Sequence, residues 1–287
     1  MRATSTDALV LVDKPAGVTS FDVVRQVGRG LGTRRVGHAG TLDPFATGLL
    51  VVMSGVATRC IRFVSTEPKV YLATITFGTE RDTDDVTGQV VREALPPPIE
   101  AIRVALPGLT GVLAQVPPAY SAKKVDGQRA YALARGGAAV TLEPSRVTVH
   151  QWEEVGWEAG QLVARVTCGT GTYIRALARD LGRLTGSAAH LSSLRRERSG
   201  PFHVDEATTW DALRQGEVGA RDPLDALRDL PVVTLDPAEA VRAKHGATVA
   251  RPDAPDAPAV VLRGPEAEWL GIGRVALGVV YPVVVHG

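Results

Sequence analysis

The stretch Leu162-Val163-Ala164-Arg165-Val166-Thr167-Cys168-Gly169-Thr170-Gly171-Thr172-Tyr173-Ile174-Arg175 sets the first choice of architecture. Leu162–Cys168 alternates as a half-buried strand does, Gly169-Thr170-Gly171 turns the chain, and a helix is expected from about Thr172 to Leu184. Its core stripe is read as Ile174, Leu177, Ala178, Leu181 and Leu184. A strand, a glycine turn and a helix also open the dinucleotide-binding unit of a doubly wound sheet. Here Ile174 occupies the place of that fingerprint's third glycine, and no GxxxxGK[ST] phosphate loop occurs in the chain. Working outward, Leu9–Asp13 is a short strand broken by Lys14-Pro15-Ala16-Gly17. Thr19 or Ser20 then caps a helix with apolar positions Phe21, Val24, Val27 and Leu31. Leu49–Met53 and Val70–Phe77 read as further strands, with Tyr71, Ile75 and Phe77 on one side of the second. Strands and helices without a regular βαβ period indicate an α+β fold.

Length and composition bound the rest. The chain has 287 residues, 45% hydrophobic and 22% charged, which is ordinary for a globular protein and unlike a disordered one. That length allows roughly two domains. Two distant cysteines, Cys60 and Cys168, argue against a disulfide framework and a cysteine zinc site. The histidines, among them His38 and His190, lack close metal-ligand spacing, so no metal is expected. The opening MRATSTDALV has no secretory pattern, and no run of about 18 apolar residues exists to cross a bilayer. A soluble cytoplasmic protein without membrane contact is the expectation. After Leu230-Pro231 short β-branched runs appear, Val232–Leu235, Ala259–Leu262 and Val279–Val285, separated by glycine and proline. They suggest a small all-β unit over residues 231–287 following a main domain over 1–230.

The formal net charge of +1 hides a segregation. Between Lys14 and Arg62 seven cationic residues face two acidic ones, and the same excess of +5 recurs between Arg165 and Arg198. Two such segments suit a one-faced polyanion footprint, or solvated faces of ordinary elements. Arg175, Arg179 and Arg183 recur every four residues and share a helix face. They can partner carboxylates or phosphates, while a solvated face is the simpler reading for Arg179 and Arg183. Arg195-Arg196-Glu197-Arg198 is either a phosphate-touching cluster or exposed. Tyr71 and Tyr173 can stack a base, or sit in the core with satisfied hydroxyls. The densest segment is Gly37-His38-Ala39-Gly40-Thr41-Leu42-Asp43-Pro44-Phe45-Ala46-Thr47-Gly48. It presents one carboxylate from a glycine-flanked loop in which Pro44 holds Asp43 extended. By spacing alone a plain turn is the better reading.

These residues closely resemble the bacterial tRNA pseudouridine-55 synthases. The likeness is carried by Leu11 to Ser20, by Gly37 to Gly48, by Tyr71, by Gly78 to Asp84 and by Tyr120-Ser121-Ala122-Lys123-Lys124. It continues in Gly171-Thr172-Tyr173-Ile174-Arg175 and in Ala189-His190-Leu191 to Leu194-Arg195-Arg196. The tail around Trp269 to Val275 resembles that family's PUA-like domain. The resemblance implies a pseudouridine-synthase fold, a mixed and largely antiparallel sheet flanked by helices, with a small C-terminal PUA-like β-barrel. It implies an isomerase that converts uridine 55 in the T-arm loop of tRNA to pseudouridine without a cofactor, as a monomer. Asp43 is then the catalytic carboxylate and Arg175 its partner. Tyr71 stacks on the flipped base, Tyr173 and Leu194 line its pocket, and His38 supports base extrusion. Lys14 and Pro15 brace the pocket. The competing readings are an RNA-binding or tRNA-folding protein without catalysis, and a carboxylate glycosidase that would release free uracil.

Overall fold

The computed structural model describes residues 6–120, 124–125, 128–129 and 142–286. Ser121, Ala122 and Lys123, part of one resembling stretch, lie outside the described residues. The N-terminal half contributes β1 (Ala8–Lys14), β2 (Val36–His38), β3 (Thr47–Ser54), β4 (Lys69–Phe77), β5 (Thr79–Arg81), β6 (Val90–Glu93) and β7 (Gly111–Gln115). A small hairpin, β8 (Lys124–Val125) with β9 (Gln128–Arg129), precedes β10 (Ser145–Glu158), β11 (Gln161–Cys168), β12 (Ala189–Ser199), β13 (Phe202–His203) and β14 (Thr208–Thr209). The last strands are β15 (Val232–Thr234), β16 (Val249–Ala250), β17 (Ala257–Arg263), β18 (Trp269–Ala276) and β19 (Val279–Val285).

Ten strands form one sheet along the path β14-β1-β3-β12-β4-β11-β10-β7, with β2 also on β3 and β13 on β12. Only β1 with β14 and β3 with β12 run parallel. The α+β, largely antiparallel expectation therefore holds, and the absence of repeated parallel crossovers is what excludes a doubly wound sheet. β1 is apolar because it is internal, pairing β3 from Ala8 opposite Ser54 to Lys14 opposite Gly48.

Helix α1 (Ser20–Leu31) starts on a capping box in which Thr19 is the cap and Asp22 its reciprocal partner. It buries Ser20, Val23, Val24, Val27 and Gly28. This corrects the expected stripe: Phe21 is 64% exposed, because the buried face is centred one residue further on. The short α2 (Ile99–Ala105) and α3 (Ile174–Leu184) pack on the β4–β11 side of the sheet, where Ile102, Leu177 and Leu181 join Ile75, Leu162 and Val166 in one core. Leu184, expected in that stripe, closes the last turn of α3 at 57% exposure.

The C-terminal strands form a second, curled sheet in the order β15-β17-β18-β19-β16. One face has its own core around Leu235, Val260 and Leu270. The other is not free: Ala259, Val261, Ile272 and Val284 share a cluster with Leu9, Leu49 and Met53 of the large sheet. Each part thus buries apolar surface of the other.

Candidate active site

Asp43 stands in the loop between β2 and β3, and that loop is fastened from three directions. The Ser20 hydroxyl, buried at the start of α1, donates to the Leu42 carbonyl at 3.0 Å and accepts from the Leu42 amide at 2.9 Å. The Gly17 amide donates to the Pro44 carbonyl at 2.8 Å, and Lys14 Nζ donates to Val18 at 2.7 Å and to Pro44 at 3.4 Å. Arg196, fully buried on β12, donates Nη2 to the Gly40 carbonyl at 3.1 Å and Nε to the Leu49 carbonyl at 2.7 Å. Its strand comes this close because Gly48 has no side chain: a Cβ there would lie 2.3 Å from the Arg196 carbonyl oxygen. The loop is rigid before any ligand arrives.

Arg175 enters from the first turn of α3. Its Nη2 donates to Asp43 Oδ1 at 3.1 Å, and its Nε lies 2.9 Å from Asp43 Oδ2. The same guanidinium donates to the carbonyls of Thr83 and Tyr120, each at 3.1 Å, and lies 3.4 Å from Asp85 Oδ2. Asp85 is in turn held by the hydroxyls of Thr83 and Thr87, at 2.8 and 2.5 Å. The helix lacks a side-chain cap at Tyr173, and Gln115 fixes that residue instead. Its Nε2 donates to the Tyr173 carbonyl at 3.1 Å and its Oε1 accepts from the Tyr173 amide at 2.9 Å.

These groups surround a cavity of about 400 Å³ lined by Asp43, Tyr71, Tyr120, Tyr173, Arg175, Leu194, Lys69 and Arg196, with the turn Gly169–Gly171 at its rim. The sheet order explains the gathering. β12 lies between β3 and β4 and sets Arg196 opposite Tyr71 and Gly48, while β11 leads through the glycine turn into α3.

The Asp43 side chain keeps 34% of its surface open to the cavity. Burial pushes its carboxyl above the ordinary aspartate range; the Arg175 guanidinium opposes that rise, and the nearby Asp85 charge adds to it. Burial likewise pushes the Tyr71 phenol up, with Arg196 opposing. Lys14 is pushed down to about 8 by burial, with Asp43 pulling the other way.

Of the residues singled out from the sequence, Asp43, Tyr71, Tyr173, Arg175 and Leu194 meet in this cavity. His38 does not line it; it sits half-buried on β2, five residues before Asp43, where burial and Arg196 lower its pKa. The arginine stripe is buried at Arg175 and Arg179 and solvated at Arg183, whose side chain is 55% exposed. Arg179 is buried against Asp84 at 2.8 Å, and Arg183 contacts Glu80. The Arg195–Arg198 cluster does not form one exposed patch either. Arg195 pairs Asp13 at 2.8 Å, Arg196 is internal, and Arg198 bonds the Gly200 carbonyl at 2.7 Å. Lys69, Gln115 and Asp85 went unread in the sequence, although Lys69 carries a signal. It occupies a core-facing position of a strand whose alternate residues Tyr71, Ala73, Ile75 and Phe77 are buried.

The fold and this site together define a pseudouridine synthase. The solved structure of a Cbf5-Nop10-Gar1 complex contains a chain similar to this one, with a TM-score of 0.70 and 25% identity over 95% of this chain and 79% of that one. An archaeal Nop10-Cbf5 complex gives a TM-score of 0.72 over 98% and 86%, at 22% identity, and shows the shared fold. Residues 29–174 match the family described as "TruB family pseudouridylate synthase (N terminal domain)", and residues 175–238 match "tRNA pseudouridylate synthase B C-terminal domain". The tRNA pseudouridine synthase B of Thermobifida fusca is 45% identical over 97% of this chain and 98% of its own length. That of Gloeobacter violaceus is 40% identical over 96% and 97%. The chain belongs to the TruB family of pseudouridylate synthases.

Proposed function

We propose that the protein isomerises uridine 55 in the T-arm loop of tRNA to pseudouridine, with Asp43 as the reacting carboxylate. The observation that carries this is Asp43, the one carboxylate among the described residues lining the cavity, contacted on both oxygens by a buried arginine and sharing that cavity with Tyr71 and Leu194. The target base leaves its stack and enters that cavity, at a cost of a few kcal/mol that is lowest in a loop and recovered by contact with Tyr71 and Tyr173. Asp43 acts on the ribose, by attack at C1′ or by removing a proton from C2′. The C1′–N1 bond breaks with its electron pair on the uracil, the ring turns, and C5 bonds to C1′ as the Asp43–C1′ ester bond breaks or, on the second route, as the proton held by Asp43 returns to C2′. The C5 proton is then lost and N1 gains one. Nothing is oxidised or transferred, so the balance requires no redox or group-carrier cofactor. Enclosure serves to keep the detached base from escaping.

Arg175 keeps Asp43 ionised and aimed, and His38, next to the loop, supports extrusion of the base. We read residues 1–230 as the catalytic domain and 231–287 as the PUA-like RNA-binding part of a cytoplasmic monomer. The test is tritium release from C5-labelled uridine in a T-arm hairpin. Asp43→Asn is expected to lower turnover by about 1,000-fold or more while hairpin binding stays within a few-fold. Turnover retained in that variant overturns the assignment. Because burial raises the Asp43 pKa, wild-type activity falls as pH drops through a value above the ordinary aspartate range.

A further inference from the structure

The cavity holds more positive charge than its acids match. Arg175 is matched by Asp43 and Asp85. Lys69 and Arg196 are not: among the described residues neither forms an ion pair, and both are buried, Lys69 at 7% exposure. Lys69 Nζ donates to two hydroxyls, Thr170 at 2.9 Å and Thr66 at 3.3 Å. Glu67, two residues back, accepts from the Thr170 amide at 2.6 Å and acts on Lys69 through space without forming an ion pair with it. Arg196 spends its donors on backbone carbonyls. The two cations also lie near each other, since a Cβ built on Gly40 would be 3.6 Å from Arg196 Nη1 and 3.7 Å from Lys69 Cε. Two adjacent buried cations without a carboxylate in direct contact are costly, and a charge brought by a ligand reduces that cost.

We propose that Lys69, with the Thr170 hydroxyl and the Arg196 guanidinium beside it, is an anion subsite that takes a phosphodiester flanking the target uridine. The inference rests on the function proposed above. Lys69 and Tyr71 share one face of β4 two residues apart, roughly 7 Å along the strand. With the base on Tyr71, the sugar–phosphate chain passes Lys69 on its way out beside the glycine turn. Burial and the neighbouring Arg196 lower the Lys69 pKa, and an incoming phosphate acts in the opposite sense.

The experiment uses T-arm hairpins that carry one uncharged methylphosphonate, on either side of the target uridine. For the wild-type protein, one of the two raises KM about tenfold and leaves kcat within about twofold, as loss of a charged hydrogen bond predicts. Lys69→Met shows the same rise on the all-phosphate hairpin, and no further rise on the neutral one. It also loses about 0.7 to 0.9 from the slope of log affinity against log salt. Lys69→Arg recovers most of the affinity. Three results overturn the proposal: wild-type KM unmoved by either neutral linkage, effects of variant and linkage that multiply, or a fall in kcat alone. The last would assign Lys69 to the uracil anion instead. The wild-type arm needs no variant, so a misfolded Lys69→Met leaves the test intact. Absence of wild-type tritium release would condemn the functional reading itself, whereas normal release without the KM effect condemns only this subsite.

Discussion

The two basic segments, Lys14–Arg62 and Arg165–Arg198, carry the same excess of charge and put it to opposite use. In the first, Arg25, Arg29, Arg34, Arg35, Arg59 and Arg62 are all exposed, and only Lys14 is internal. In the second, Arg175, Arg179 and Arg196 are buried, and Arg183 alone is classed as exposed. The acids that offset the second segment lie on β5 and in the connection that follows it: Glu80 meets Arg183, Asp84 meets Arg179 and Asp85 meets Arg175. Three carboxylates within six residues thus meet three arginines spaced four apart on α3, and the ladder ends at Asp43. A charge excess in sequence becomes an external field only where no distant segment neutralises it. Here the exposed cations belong to the first segment, which also supplies Asp43, while the buried arginines of the second build the site around it.

Variants at Arg175 test the inner half of this contrast with the largest effect. Arg175→Lys keeps the charge but replaces a planar fork that serves Asp43, Asp85 and two carbonyls with a point charge. Tritium release from the hairpin is expected to slow by about 100-fold or more; a rate close to wild type would mean that charge alone suffices. The next effect is on stability. Arg179→Met strands Asp84, whose side chain is 8% exposed, and should cost about 3 kcal/mol in urea unfolding. Asp84 is pushed up to about 6 by burial even with Arg179 present. Below that pH the carboxyl is protonated and its stranding costs little, so the deficit should be small at pH 5 and grow toward pH 8. A pH-independent deficit would show that Arg179 stabilises through packing alone.

Which parts of this were legible beforehand follows from where the determining contacts lie. β1, β4, β11, α3 and the tail strands β15, β17 and β19 announce themselves through local pattern. Asp43 and Arg175 stood out through the glycine-flanked loop, the helix start after Gly171 and the family likeness. β12 did not, because it breaks the period of two at bulges between Leu191 and Ser193 and between Arg196 and Arg198. Its Arg195-Arg196-Glu197-Arg198 run therefore looked like surface. Phe21 misled for a related reason: both it and Val24 fit a helical stripe, and only packing on β1 and β3 decides which face turns inward. The cluster joining Val261 and Ile272 to Leu9 and Leu49 has no local signal at all, since either face of a short β-branched strand can be the buried one.

The outer half of the contrast carries the smallest effect and the sharpest signature. Arg34 and Arg35 follow α1, are exposed, and form no ion pair among the described residues. Arg34 also edges a groove with Phe21, Arg25 and Arg29, and the Arg25 guanidinium stacks 5.2 Å over the Phe21 ring. Replacing both Arg34 and Arg35 with alanine removes two charges without stranding a partner, so thermal stability should move by no more than about 0.5 kcal/mol. Affinity for full-length tRNA should fall about three- to tenfold at moderate salt, and the slope of log affinity against log salt should shrink by up to about 1.8. The Arg179 variant, once folded, should leave that slope unchanged. If instead Arg179→Met flattens the salt response and the Arg34/Arg35 pair does not, the buried ladder is what the polyanion feels, and the division of labour between the two segments is reversed.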